Sequence, residues 1–184
     1  AGRGRRGRDW VSSKGNLFCT GLYAHDGDIQ HAALLSFVAA LAVYDLAAAY
    51  VPENTISLKW PNDVLIGAAK TSGILLESGH YKGQLWTAIG IGVNLVSHPD
   101  NIDYAATHLA AHIPAEDLAG AEPKYPEPQA ALAILSAAFD ARRREFMTSG
   151  FAPIRQAWLE RAGNIPGPVT VRLPGETFEG QATD

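Results

Sequence analysis

Residues 56 to 77 read Ile56-Ser57-Leu58-Lys59-Trp60-Pro61-Asn62-Asp63-Val64-Leu65-Ile66-Gly67-Ala68-Ala69-Lys70-Thr71-Ser72-Gly73-Ile74-Leu75-Leu76-Glu77. Ile56 to Trp60 has the composition of a short strand, and Pro61-Asn62-Asp63 is turn chemistry. Two apolar runs follow, Val64 to Ile66 and Ile74 to Glu77, either side of Gly67-Ala68-Ala69-Lys70; they predict a hairpin with Lys70 near its tip. Leu85 to Leu95 is one more strand-like run, dense in Gly, Ile and Val. Strands in such close succession do not fit regular βαβ alternation. They predict an α+β fold with a mixed, largely antiparallel sheet packed with helices.

Working outward, Asn16 to Ala24 alternates loosely like a strand, and Asp28 is a candidate N-cap for a helix running to about Tyr50, before Pro52. The apolar stretch from Ala32 to Tyr50 is broken by Ser36 and Asp45, which favours a buried helix over a membrane span. Beyond the strands, His98 to Glu127 carries prolines and short helical patches, with Tyr104 to His112 the clearest. Pro128 to Met147 has helical periodicity and ends near Gly150; Phe151 to Ala162 is a further helix stopped by Gly163-Asn164. After Pro166, Val169 to Leu173 and Thr177 to Gly180 flank Pro174-Gly175-Glu176 as a hairpin. The division expected is a main unit over residues 1–164 and the start of a small β unit over 165–184.

Composition bounds the chemistry. A chain of 184 residues with 47% hydrophobic and 18% charged residues suits one globular core. The single cysteine, Cys19, cannot form an internal disulfide, and no apolar h-region follows the N-terminal arginines; both favour a cytoplasmic protein without a membrane segment. The net charge is −4, and four arginines fall in the first eight residues, so the rest of the chain stands at −8. Alternating Gly and Arg in Gly2-Arg3-Gly4-Arg5-Arg6-Gly7-Arg8 favours a loop that approaches a ligand closely, carrying planar donors suited to carboxylate and phosphate. The arm should close over an anion and be mobile before the anion binds. A solvated basic tail, or an RNA contact made with Trp10, are its other readings; the acidic remainder argues against a polyanion.

Other motifs are read in the same way. Asn62 and Asp63 either form a structural turn or present oxygens to magnesium or ligand hydroxyls. Lys70 is either an exposed loop lysine or an ammonium neutralising a transferring carboxylate or phosphate. Gly90-Ile91-Gly92-Val93-Asn94 lacks the ending of a P-loop and the third glycine of a dinucleotide fingerprint, which leaves close strand packing with Asn94 turning the chain. His108 and His112 have i,i+4 spacing but no third metal ligand is evident.

Taken in order, the Gly/Arg arm with Trp10, Gly15-Asn16-Leu17, Lys59-Trp60-Pro61-Asn62-Asp63, Lys70 with Gly73-Ile74-Leu75-Leu76-Glu77, and Gly90-Ile91-Gly92-Val93-Asn94 resemble the biotin–protein ligase family. The resemblance covers roughly the first half of the chain. It implies a class II synthetase-like catalytic domain over residues 1–164 and the beginning of a small SH3-like domain after it. It implies ATP and biotin as substrates with Mg2+, a biotinyl-5'-adenylate intermediate, and transfer to a lysine of a biotin carboxyl carrier protein or carboxylase domain. Carried onto this chain, it puts Lys70 and Arg5 in the catalytic step, and Arg3, Gly4, Arg5, Trp10, Lys70 and Gly73 around biotin. Arg5, Arg8, Asn62, Asp63, Asn94 and Tyr104 would meet ATP and the adenylate, with Asp63 towards magnesium. Relatives of this kind carry an upstream Ser-Thr-Asn segment, so the chain is expected to be a catalytic-domain piece of low activity alone. The expectation is a chain without a DNA-binding domain that is able to pair as a homodimer. A lipoate–protein ligase is the nearest alternative, and a non-catalytic RNA-binding domain is the alternative from another class.

Overall fold

The computed structural model describes residues 2–4, 7, 9–25, 29–100, 102–119, 125–163, 165–173 and 175–183. At the N-terminus β1 (Gly2–Arg3) pairs antiparallel with β2 (Asp9–Trp10), Gly2 opposite Trp10. The described ends of the arginine-rich arm are therefore paired, and Ser12 Oγ accepts the Gly2 amide at 3.1 Å. Arg5, Arg6 and Arg8 lie outside the described residues.

The main sheet has five strands: β3 (Leu17–His25), β4 (Ile56–Lys59), β5 (Asp63–Ile66), β6 (Ala69–Tyr81) and β7 (Gln84–Val93). Their order is β3-β7-β6-β5-β4 with every neighbour antiparallel. Alternation assigns the faces. Leu85, Thr87, Ile89, Ile91 and Val93 of β7 are buried towards the helices, together with Ile74 from β6 and Leu17 from β3. Gly90 and Gly92 lie on the other face, with Leu75 and Gly73 as their β6 partners and Thr20 and Phe18 as their β3 partners.

The helix expected from Asp28 to Tyr50 comes in two pieces, α1 (Ile29–Ala33) and α2 (Leu35–Ala48); Asp28 itself lies outside the described residues. At the break, Ser36 Oγ donates to the Ala33 carbonyl at 2.9 Å, a local bond that competes with the helical ladder. By length and composition Ile29–Ala48 is apolar enough to cross a membrane, with a mean hydropathy of 1.7. Here it is core: Val38, Leu41, Val43 and Leu46 have no exposed surface, because α2 lies between the sheet and two later helices. Those are α4 (Pro128–Ser149) and α5 (Phe151–Leu159). Asp45, the charge inside the apolar run, meets Arg142 of α4 in a two-pronged contact at 2.9 and 3.1 Å, which holds the guanidinium pKa above its ordinary value.

Between β7 and α4 the helical patch expected over Tyr104 to His112 is helical only at its end, a 3-10 turn at Leu109–His112; α3 (Ala115–Leu118) follows. The physical reason is pairing. Lys70 donates its amide to Ala105 O at 2.8 Å and accepts the Thr107 amide at 2.9 Å, which keeps residues 105 to 107 extended beside β6. At the far edge, Leu58 exchanges backbone bonds with Arg161 and Gly163, so the exit of α5 covers β4. The C-terminal strands β8 (Gly167–Leu173) and β9 (Glu176–Ala182) form the expected hairpin as a separate two-stranded sheet.

Asn16 joins the start of β3 to the end of β7. It is 7% exposed, its Oδ1 accepts the amides of Leu95 (2.9 Å), Val96 (3.0 Å) and Ser97 (3.3 Å), and its Nδ2 donates to Ser97 O (2.9 Å). Asn16→Ala should therefore destabilise the fold by about 1–3 kcal/mol, since buried donors lose their acceptor. Urea unfolding checks this; a change below about 0.5 kcal/mol would mean that water replaces the amide.

Candidate active site

The non-helical face of the sheet is the floor of a cavity of about 1500 Å³. One row of this floor takes a residue from each strand: Phe18 of β3, Gly92 of β7, Gly73 of β6, Asp63 of β5 and Lys59 of β4. Two neighbouring glycines in that row have a purpose. The Trp10 indole lies directly over them, so a Cβ at Gly92 would sit 2.6 Å from the ring and one at Gly73 would sit 2.8 Å from it. No side chain fits there. The Trp10 ring nitrogen is buried without a hydrogen-bond partner among the described residues.

Lys70 reaches this face because of a bulge. Counting in twos from Gly73, the cavity-facing residues of β6 would be Thr71 and Ala69, and Lys70 would enter the core. The register instead pairs Val64 with Ser72 but the adjacent Leu65 with Lys70, leaving Thr71 as an extra residue. That residue is wholly buried and bonded to Asn94, with its carbonyl accepting the Asn94 amide at 2.8 Å. The parity flips, and Lys70 joins Gly73 and Asp63 on the cavity side.

There the ammonium is held on three sides. Lys70 Nζ is 2.6 Å from Asp63 Oδ1, 5.5 Å from the centre of the Trp10 ring and 5.4 Å from that of Tyr104. The pair is mostly buried, with side-chain exposures of 17% and 24%, so both the ion pair and the ring contacts act with little screening by water. Asn62 braces the same corner, its Nδ2 donating to Ile74 O at 2.7 Å. Arg3 enters from the arm and pairs with Glu77 at 3.2 Å, an exposed contact of small energetic weight.

Of the site residues expected from sequence, Arg3, Gly4, Trp10, Asn62, Asp63, Lys70, Gly73 and Tyr104 all line this cavity. Arg5 and Arg8 lie outside the described residues. Asn94 is not among the lining residues. It is 3% exposed, and its Nδ2 donates to Thr107 O at 3.0 Å, so it fixes the segment that carries Tyr104. Among the described residues no group of three or more His, Cys, Asp or Glu could hold a metal ion. Asp63 already has Lys70 on one oxygen. The donor set does not fit a resident metal, though one carboxylate suits a magnesium that arrives on substrate phosphates.

The sequence reading missed Glu77 as the partner of Arg3, the floor residues Thr20, Leu75 and Ala88, and the wall made by Pro168, Val169 and Thr170 of β8. The floor had a signal, since Ala88, Gly90 and Gly92 are small at every second position. The β8 wall had none.

Residues 1–95 match the Biotin/lipoate A/B protein ligase family. The chain is 44% identical to a biotin–[acetyl-CoA-carboxylase] ligase of Paracoccus denitrificans over 174 residues, covering 94% of this chain and 71% of that protein. It is 31% identical over 184 residues to the bifunctional ligase/repressor BirA of Bacillus subtilis, covering 99% of this chain and about half, 55%, of that protein. Among solved structures, the biotin protein ligase from Aquifex aeolicus in complex with biotin and ATP superposes with a TM-score of 0.72 at 25% identity, over 97% of this chain and 71% of that one. A family match over half the chain, a relative similar along most of its length and a shared α+β architecture agree: this chain belongs to the biotin/lipoate A/B protein ligase family.

Proposed function

We propose that the protein activates biotin with ATP to biotinyl-5'-adenylate and passes the biotinyl group to a lysine of a carboxyl carrier domain. The single observation that carries this reading is Lys70, an ammonium held by Asp63 between two aromatic rings inside the sheet-floored cavity. In the first step a carboxylate oxygen of biotin attacks the α-phosphorus of ATP and pyrophosphate leaves. In the second the carrier amine attacks the acyl carbon, AMP departs with the acyl-oxygen electrons, and the amine loses a proton. Two anions must approach first. At 4 Å and an effective dielectric of ~20, each like-charge pair costs about 4 kcal/mol, so fixed positive charge is the main requirement.

Lys70 would supply that charge from the floor, joined by Arg5. Arg3, Gly4, Arg5, Trp10 and Gly73 would bound the biotin side, with Trp10 screening the reactive anhydride from water. Asn62, Asp63, Arg8 and Tyr104 would stand at the nucleotide end, with magnesium carried in on the ATP phosphates. Asn94 would serve that end indirectly, through Thr107. The test is ATP–pyrophosphate exchange by the full protein. It should depend on biotin and not on lipoate. Exchange driven equally by lipoate would move the assignment to the lipoate side of the family, and no exchange with either acid would refute adenylation.

A further inference from the structure

We propose that the imidazoles of His98 and His108 form a positioning clamp on the cavity wall that carries Tyr104, set while no more than one ring is an imidazolium and released when both are. The two Nδ1 atoms lie 2.8 Å apart, with ring centres 5.0 Å apart and planes tilted by 31°. Two facing ring nitrogens at that distance need one N–H and one bare acceptor. Opposite neutral tautomers satisfy this, and so does one imidazolium beside one neutral ring. Two imidazoliums place N–H against N–H with like charges, and the contact is lost.

What the clamp holds is specific. His98 follows β7 in the chain, while His108 follows the extended residues that pair with Lys70. Just before it, Thr107 donates its amide to Lys70 O, and its carbonyl accepts from Asn94 Nδ2 at 3.0 Å. Thr107 Oγ1 also meets His112 Nε2 at 2.7 Å. Releasing His108 therefore loosens the strip that sets Tyr104 against Lys70, without touching the ion pair of Lys70 with Asp63. The charges that bear on His108 are those of His98, from the loop after β7, and His112, from the 3-10 turn, both of its own sign. Burial first, and then those two rings, lower the His108 pKa below the ordinary 6.5. The folded chain thus resists a proton that the unfolded chain accepts. The stability contributed by the neutral ring is complete above pH 6.5 and is lost as pH falls through the lower folded value.

The inference rests on the adenylating reading, because its kinetic test uses ATP. In the full protein, the KM for ATP in biotin-dependent exchange is measured from about pH 8 to about pH 5.5, for wild type and for His108→Asn, which cannot take up a second proton at this contact. Wild type should show an acid-side rise in KM for ATP about three- to tenfold steeper than the variant, whose residual rise reports the titration of ATP itself. The ring 15N shifts of His98 and His108 near neutral pH should show opposite tautomers. The same pH dependence of KM in both proteins, or identical tautomers on the two rings, would overturn the clamp. Absence of exchange at every pH would instead refute adenylation, and the ring shifts would then decide the clamp alone.

Discussion

Lys70→Ala is expected to slow biotin-dependent pyrophosphate exchange by about two to three orders of magnitude, the usual cost of losing one preorganised charge at a site of developing negative charge. The loss should fall on kcat more than on the KM for biotin, because the ammonium matters most when carboxylate and α-phosphate are being joined. Lys70→Arg keeps the charge but not the fit. A planar guanidinium must share a space set by Asp63 at 2.6 Å and by two rings about 5.5 Å away. It should recover only part of the rate. Thermal unfolding separates chemistry from folding: alanine here opens no cavity in the main core but leaves the mostly buried Asp63 carboxylate without its cation, so the melting temperature should fall, and exchange is compared at a temperature where both proteins are folded. Exchange within about threefold of wild type would leave the proposed mechanism without its central cation.

The placing of Lys70 depends on the bulge: if Thr71 took a regular place in the ladder, strict alternation from Gly73 would turn Lys70 towards the core side. This dependence explains why the site was only partly legible in the sequence. The hairpin with Lys70 near its tip, the antiparallel strands and the long C-terminal helices follow from local pattern: apolar runs, turn residues and helical periodicity over enough residues to be distinctive. Which face Lys70 takes does not follow, since a single buried threonine carries no sign that it is an extra residue. Asn94 was only partly legible for a related reason. An asparagine after a glycine-spaced strand suits a ligand contact or a backbone brace equally well, and the brace itself needs Thr107, 13 residues later in the chain. The helix broken at Leu34 and the extended course of residues 105 to 107 show tertiary pairing overriding local preference. The glycine floor was visible as small residues two apart, but the ring that requires it comes from a segment about 80 residues away.

That distant pairing gives the second large effect. Gly92→Ala should raise the KM for biotin about tenfold or more, equivalent to about 1.4 kcal/mol or more of lost binding. The new Cβ would lie 2.6 Å from Trp10 Cε2 and 2.8 Å from its ring nitrogen, closer than real contacts allow. Strand β7 is central in the sheet and bonded on both sides to β3 and β6, so its backbone cannot retreat. Trp10 belongs to a two-stranded arm and is only partly buried, so the indole is what moves. As it lifts it leaves Lys70, loosening one of the two aromatic contacts on the ammonium. The double variant Trp10→Ala with Gly92→Ala isolates this cause. If the clash with the ring is the whole effect, Gly92→Ala will do little once the ring is gone, and the two substitutions will be strongly non-additive. If Gly92→Ala costs as much in the Trp10→Ala background, the methyl obstructs biotin directly, and Trp10 is a cover over the site without being the element that the glycines were kept small to receive.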